Sequence, residues 1–189
     1  MKRAVFLDRD GTINREVDFV ETPERLQLLP GARDAIHRLA DAGFVIVVVT
    51  NQSGIARRLY DETGLARIHE KLLRETDGRI AAVVHCPHHP DLDGAYGREC
   101  GCRKPKGGLV LQGAELVGAT LEGSYLVGDT ARDVLAARGT PLRTVYVHSG
   151  KPPAKELEKL RAAGFAPTAE AMDLAAAADW ILRDMRGEE

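Results

Sequence analysis

Residues 4–12 read Ala-Val-Phe-Leu-Asp-Arg-Asp-Gly-Thr, four apolar residues running straight into two aspartates and a glycine. The apolar part predicts a strand over 4–7, and Gly11 permits a turn just after it. Residues two apart on an extended chain share a face, so Asp8 and Asp10 can point into one cleft. The arrangement recurs along the chain. A β-branched run at 44–50 precedes Asn51-Gln52-Ser53-Gly54, and one at 124–127 precedes Gly128-Asp129-Thr130-Ala131-Arg132-Asp133. Runs at 80–84 and 144–147 bring the number of expected strands to five.

Amphipathic stretches separate these runs. Ala32, Ala35, Ile36 and Leu39 follow helical spacing, with Pro30-Gly31 ahead of them and Gly43 closing the segment. Residues 61–75 carry Leu65, Ile68, Leu72 and Leu73 on one face, 109–117 is also helical in pattern, and Ala171, Leu174, Ala178, Ile181 and Met185 mark a terminal helix. Strands alternating with helices predict an α/β fold, a Rossmann-like parallel sheet flanked by helices. The unbroken apolar run 45–49 fits a strand buried on both faces. Neither an internal repeat nor a linker rich in Gly, Pro or Ser divides the chain, so one domain over 1–189 is expected.

Hydrophobic residues make up 44% and charged residues 29%, as in a soluble globular protein. A formal charge of -2 offers no general attraction to nucleic acid or to an anionic membrane, so anion recognition must come from a local cluster. The longest apolar run, 44–49, is far short of a membrane span. Residues 1–7 leave no room for a signal peptide's apolar stretch, and the expected compartment is the cytoplasm.

In open α/β sheets ligands bind beyond the carboxyl ends of the strands, where Asp8, Asp10, Thr50 and Asp129 would gather. A lone aspartate at a strand end is ordinarily a turn former or a helix cap. Several at matching strand ends repel one another and call for a cation. Magnesium is the expected ion, held by Asp8, Asp129 and a backbone carbonyl at Asp10. Asp133, in the first turn of a helix, either supports that site or is a structural choice.

The segment 86–106 has no periodicity and is long for an ordinary connection. All three cysteines of the chain, Cys86, Cys100 and Cys102, lie in it beside His85, His88 and His89. Three sulfurs and one imidazole would make a closed tetrahedral zinc site pinning the loop 86–102. The residues alone leave the choice of histidine open.

The set Asp8-Arg9-Asp10-Gly11-Thr12, Thr50, Lys104 and Gly128-Asp129 resembles the signature of the haloacid dehalogenase superfamily. The resemblance implies that Asp8 attacks phosphorus and forms an aspartyl-phosphate, that Asp10 protonates the leaving oxygen and later activates water, and that Thr50 and Lys104 stabilise the transferring phosphoryl group. It also implies Asp8, Asp10 and Asp129 as the magnesium site.

Three further stretches, Thr50-Asn51-Gln52-Ser53-Gly54-Ile55-Ala56-Arg57, Cys86-Pro87-His88-His89-Pro90 and Cys102-Arg103-Lys104-Pro105, are similar to the D-glycero-D-manno-heptose 1,7-bisphosphate 7-phosphatase family. Membership implies removal of the C7 phosphate, no large cap domain, a phosphosugar as the small-molecule partner, and His88 as the zinc ligand with Cys86, Cys100 and Cys102. It further implies substrate contacts at Glu16, Val17, Asp18, Phe19, Thr50, Asn51, Gln52, Ser53, Arg103 and Lys104. A monomer is expected, with neither nucleic acid nor membrane as partner.

Three positions depart from the family pattern: Arg58 replaces a Gly, Gly107 replaces a Pro, and Thr130 stands where some members carry Lys. Arg103 with Arg57, Arg58 and Lys106 forms a cationic group larger than one phosphate needs. Histidinol-phosphate phosphatases share the carboxylates and a similar zinc loop, and are the alternative enzyme. Polynucleotide 3′-phosphatases share the Thr-Asn-Gln stretch but need a basic groove that the charge does not supply. A zinc-stabilised phosphosugar-binding module without activity is the non-enzymatic alternative, and it would not require a nucleophile.

Overall fold

Strand β1 (Lys2–Leu7) runs through the middle of a six-stranded sheet in the computed structural model, which describes residues 2–188. Met1 and Glu189, the outer bounds expected for the domain, lie outside the described residues. The remaining elements follow in chain order: α1 (Ala32–Asp41), β2 (Val45–Asn51), α2 (Glu62–Glu75), β3 (Ile80–Cys86), α3 (Gly108–Val117), β4 (Ala119–Gly128), α4 (Ala131–Leu135), β5 (Arg143–Val147), α5 (Pro153–Ala162), β6 (Ala169–Ala171) and α6 (Leu174–Met185). A single 3₁₀ turn, Pro23–Arg25, interrupts the loop before α1.

The sheet order is β3-β2-β1-β4-β5-β6, and every pairing is parallel. The chain builds outward from β1 in one direction through β2 and β3, then returns to the other side of β1 with β4. That reversal leaves a crevice beyond the carboxyl ends of β1 and β4, where an open α/β sheet binds its ligand. The Asp8 N–H donates to the Val127 carbonyl at 2.9 Å, which sets the aspartates that follow the two strands side by side.

Alternation along β1 divides the core between the two faces of the sheet. Val5 and Leu7 join Ile46, Val48 and Val127 under Ala35, Ile36 and Leu39 of α1 and Ile181 of α6. Ala4 and Phe6 join Val47, Val49 and Leu126 under Leu109, Val110 and Ala114 of α3. With both faces covered, the strands need apolar residues at every position, which is why 45–49 does not alternate. Helices α2 and α6 start at aspartates that accept from backbone N–H groups three residues on, Asp61 from Gly64 and Asp173 from Ala176.

Two elements carried no sequence signal. Strand β6 is three residues without β-branching, ordered by pairing Val145 with Ala169 and Val147 with Ala171, so Ala171 belongs to it and not to the terminal helix. Helix α5 buries only Glu156 and Leu160, too narrow a stripe to read as amphipathic. Between β3 and α3 the described chain forms neither helix nor strand, as expected for 86–106. Among the described residues no helix is long and apolar enough to cross a membrane.

Candidate active site

Asp8 follows the last residue of β1, and its Oδ1 accepts from the Lys104 ammonium at 2.7 Å. The same Nζ lies 2.6 Å from Asp133 Oδ1 and donates to the Val49 carbonyl at 2.7 Å, so all three of its protons are used inside the protein. Lys104 is placed there by a reciprocal clasp: Asn51, at the end of β2, donates from Nδ2 to the Lys104 carbonyl and accepts at Oδ1 from the Lys104 N–H, both at 3.1 Å. One buried ammonium therefore faces three buried carboxylates, since oxygens of Asp8, Asp129 and Asp133 all lie within 4.8 Å of one another.

The imbalance shows in the titration of these groups. Burial, then the Asp133 charge, pushes Asp8 up to about 7 against the pull of Lys104. Burial, then Asp133 and Asp8, pushes Asp129 up to about 8. Lys104 is held above its ordinary value, because the pull of Asp133 and Asp8 exceeds the cost of burial. Asp129 Oδ2 accepts from the Lys151 N–H at 2.8 Å, whereas Oδ1 is buried with no hydrogen-bond partner among the described residues. A Cβ on Gly11, whose φ is 82°, would stand 2.5 Å from Asp129 Oδ2, so the turn brings backbone up to that carboxylate. An orphaned buried oxygen among crowded carboxylates fits a hard divalent cation. Asp133 has no oxygen to spare: Oδ2 accepts from the Thr130 N–H at 3.0 Å and from its hydroxyl at 2.5 Å, completing a capping box at α4.

The Asp10 carboxylate is separate from that cluster. Arg9 Nη2 reaches both its oxygens at 3.0 and 2.9 Å, Asn14 Nδ2 donates to Oδ1 at 2.9 Å, and Gln52 Nε2 donates to Oδ2 at 3.0 Å. Burial pushes Asp10 upward, but the Arg9 charge and these hydrogen bonds outweigh it and hold the carboxyl below its ordinary value. The expected metal contact at Asp10 is thus left to its backbone carbonyl. Thr50, buried at the end of β2, accepts at Oγ1 from Gln52 Nε2 at 2.8 Å.

A cavity of about 280 Å³ opens over these groups. Of the substrate contacts expected from sequence, Glu16, Asp18, Phe19, Thr50, Asn51, Gln52, Ser53, Arg103 and Lys104 line it. Val17 does not, and packs against the hydrophobic core instead. The cationic group also differs from expectation. Arg57 lies over the Phe19 ring at 5.7 Å, and Arg103 donates to the His88 carbonyl at 3.0 Å. Arg58 instead faces a neighbouring groove, and Lys106 is paired with Glu99 at 2.8 Å, so neither belongs to the site. Arg132 and Lys151 take their places on the cavity wall. Both stood in reach of the strand-end rule, Lys151 in the polar run after β5 and Arg132 within 128–133 after β4.

Beside the cavity, Cys86, His88, Cys100 and Cys102 converge. Cys86 Sγ lies 3.6 Å from both Cys100 Sγ and His88 Nδ1, and Cys102 Sγ lies 3.0, 3.4 and 3.5 Å from Cys86, Cys100 and His88 Nδ1. A tetrahedral ion with metal–sulfur bonds of about 2.3 Å would give sulfur–sulfur edges of about 3.8 Å, close to the Cys86–Cys100 separation, with Cys102 drawing back from Cys86 to admit the ion. His85 and His89 are elsewhere: His85 Nε2 is 2.9 Å from Glu62, and His89 Nε2 is 3.3 Å from Arg57 Nη2. Arg98 Nη2 stands 2.9 Å from His88 Nε2, so metal binding through Nδ1, which puts the proton on Nε2, requires Arg98 to turn away.

Comparison with known proteins gives a consistent picture. A family model for HAD-like hydrolases matches residues 101–177. The chain is 38% identical to the D-glycero-beta-D-manno-heptose-1,7-bisphosphate 7-phosphatase of Pasteurella multocida (strain Pm70), over 80% of this chain and 85% of that one. It is 35% identical to the protein of the same name from Escherichia coli (strain K12), over 96% and 89%. Among solved structures, the D,D-heptose 1,7-bisphosphate phosphatase of B. bronchiseptica, complexed with magnesium and phosphate, superposes with a TM-score of 0.83 at 38% identity, covering 97% of this chain and 99% of that one.

Proposed function

The chain belongs to the D-glycero-beta-D-manno-heptose-1,7-bisphosphate 7-phosphatase family of HAD-like hydrolases, and from that membership we propose that it hydrolyses the C7 phosphate ester of the heptose bisphosphate and leaves the 1-phosphate. The observation that carries the chemistry is the pairing of Asp8 with Lys104 at a cavity whose neighbouring carboxylate, Asp129, has an oxygen without a partner among the described residues.

Asp8 attacks phosphorus as the bond to the C7 oxygen breaks, and Asp10 gives that oxygen a proton. Asp10 then takes a proton from water, whose oxygen attacks phosphorus and breaks its bond to Asp8, releasing inorganic phosphate. Asp10 rests ionised against Arg9, which suits the second step. An anionic phosphoryl group beside it raises its proton affinity for the first. The Thr50 hydroxyl and Lys104 hold the phosphoryl oxygens, Lys104 by exchanging one of its three bonds inside the protein for one to the phosphate. Magnesium, held by Asp8, Asp129 and the Asp10 carbonyl, would offset the charge of the carboxylates and phosphate and keep Asp8 ionised.

Arg57, Arg103 and Arg132 have no carboxylate partner among the described residues, which supports their serving the second phosphate of the substrate. Zinc in the Cys86, His88, Cys100 and Cys102 cluster would be structural, since four protein ligands leave no open position. It would fix the chain just before Arg103 and Lys104. The cavity lining is complete without a partner residue, which is compatible with action as a monomer, and cysteines held as metal ligands rather than in disulfides suit a reducing cytoplasm.

The test is kcat/KM for the heptose bisphosphate and for histidinol phosphate, with and without magnesium, in wild-type protein and Asp8→Asn. Magnesium-dependent release from C7, abolished in a folded Asp8→Asn protein, is expected. Equal or better turnover of histidinol phosphate would overturn the sugar assignment, and a folded Asp8→Asn protein near wild-type turnover would overturn the mechanism.

A further inference from the structure

We propose that Tyr60 is a positioning residue whose hydroxyl fixes the Gln52 amide and, through it, the carboxyl of Asp10. This rests on the assignment of Asp10 as the group that protonates the leaving oxygen. Gln52 is 2% exposed and follows β2 directly. Its amide is fully used: Oε1 accepts from the Tyr60 hydroxyl at 2.7 Å, and Nε2 donates to Asp10 Oδ2 at 3.0 Å and to Thr50 Oγ1 at 2.8 Å. Asp10, as a carboxylate, can only accept, so Nε2 must face it and Oε1 must face away. The group that Oε1 then meets decides whether this orientation is stable. Tyr60 supplies the donor, and burial keeps it one, pushing its pKa up to about 12.

The loop is shaped to bring Tyr60 there. The Leu59 N–H donates to the Gly54 carbonyl at 2.9 Å, turning the chain back, and the Tyr60 ring then rests on Gly54. Any Cβ at position 54 would collide with that ring. Asp10 Oδ2 has only Gln52 and Arg9 as hydrogen-bond partners among the described residues. Removing the hydroxyl leaves Oε1 buried without a donor, so nothing fixes the orientation of the amide and its hold on Asp10 weakens.

Leaving-group dependence separates this role from general loosening of the site. An alkoxide leaving from a sugar phosphate needs a proton, whereas the phenolate from 4-nitrophenyl phosphate does not. For Tyr60→Phe, kcat/KM on the heptose bisphosphate should fall by about 10–100-fold, with kcat/KM on 4-nitrophenyl phosphate within about twofold of wild type. Gly54→Ala, which displaces the same ring, should show the same selective loss. Equal loss on both esters, or no loss on the sugar phosphate, overturns the proposal. Asp10→Asn serves as reference. If it too fails to discriminate between the esters, the acid assignment falls and the Tyr60 role with it. If it discriminates and Tyr60→Phe does not, only the Tyr60 role falls.

Discussion

Lowering the pH should destabilise the protein through one buried histidine that never touches the substrate. His69, on α2, is 9% exposed, and its Nε2 lies 3.4 Å from Arg9 Nη1, the same guanidinium that clamps Asp10. Burial, then the Arg9 charge, then His85 push its pKa from 6.5 down to about 3. In the folded protein the ring is neutral and Nε2 accepts from Arg9. The unfolded chain takes up the proton near 6.5, so its contribution is fully present above that value and is lost as pH falls toward the folded one. Between about pH 7.5 and about pH 5.0 the unfolded chain gains about 2 kcal/mol that the folded protein does not, from a slope of about 1.4 kcal/mol per unit below 6.5. For a chain of this size that lowers the melting temperature by about 4–8 °C. The assay is urea or thermal unfolding at both pH values and fixed magnesium, comparing wild type with His69→Gln, which keeps an acceptor but does not titrate. Wild type should lose about 2 kcal/mol more than the variant. Equal losses would refute the assignment of a neutral His69 held against Arg9.

Asp133→Ala removes both the acceptor for Thr130 and one of three Lys104 partners, while Asp8 and the Val49 carbonyl remain, so a cost of about 2–4 kcal/mol is expected. A melting temperature within about 2 °C of wild type would contradict that. Metal analysis of protein purified without chelator should find one zinc per chain, and Cys100→Ser should lower activity by loosening the segment that leads into Arg103 and Lys104; full activity in the zinc-free variant would break the link. Arg132→Ala should reduce the preference for a bisphosphate over a monophosphate by about tenfold, read from kcat/KM on both, as expected for one lost charge-assisted hydrogen bond. An unchanged ratio would remove Arg132 from the second-phosphate site.

What the sequence determined by itself was whatever is encoded locally or by composition. Unbroken apolar runs such as 45–49 announced strands buried on both faces, and the spacing of Ala32, Ala35, Ile36 and Leu39 announced the helix between them. Clustering of the cysteines marked the loop at 86–102, and polar residues after successive strands marked one edge of the sheet as the site. Tertiary structure decided everything that depends on side chains distant in sequence. Strand β6 exists because β5 offers it an edge, not because Ala-Glu-Ala favours extension. Arg58 and Lys106, basic like Arg57 and Arg103, are turned out of the cavity by the loop geometry and by Glu99, while Arg132 and Lys151 are turned in. The lowered pKa of Asp10 depends on Arg9, Asn14 and Gln52 converging on it, and the full use of the Asp133 oxygens depends on Lys104 and Thr130. A motif fixes which groups are present. Their charge and hydrogen-bonding partners follow from burial and separation, which only the folded chain defines.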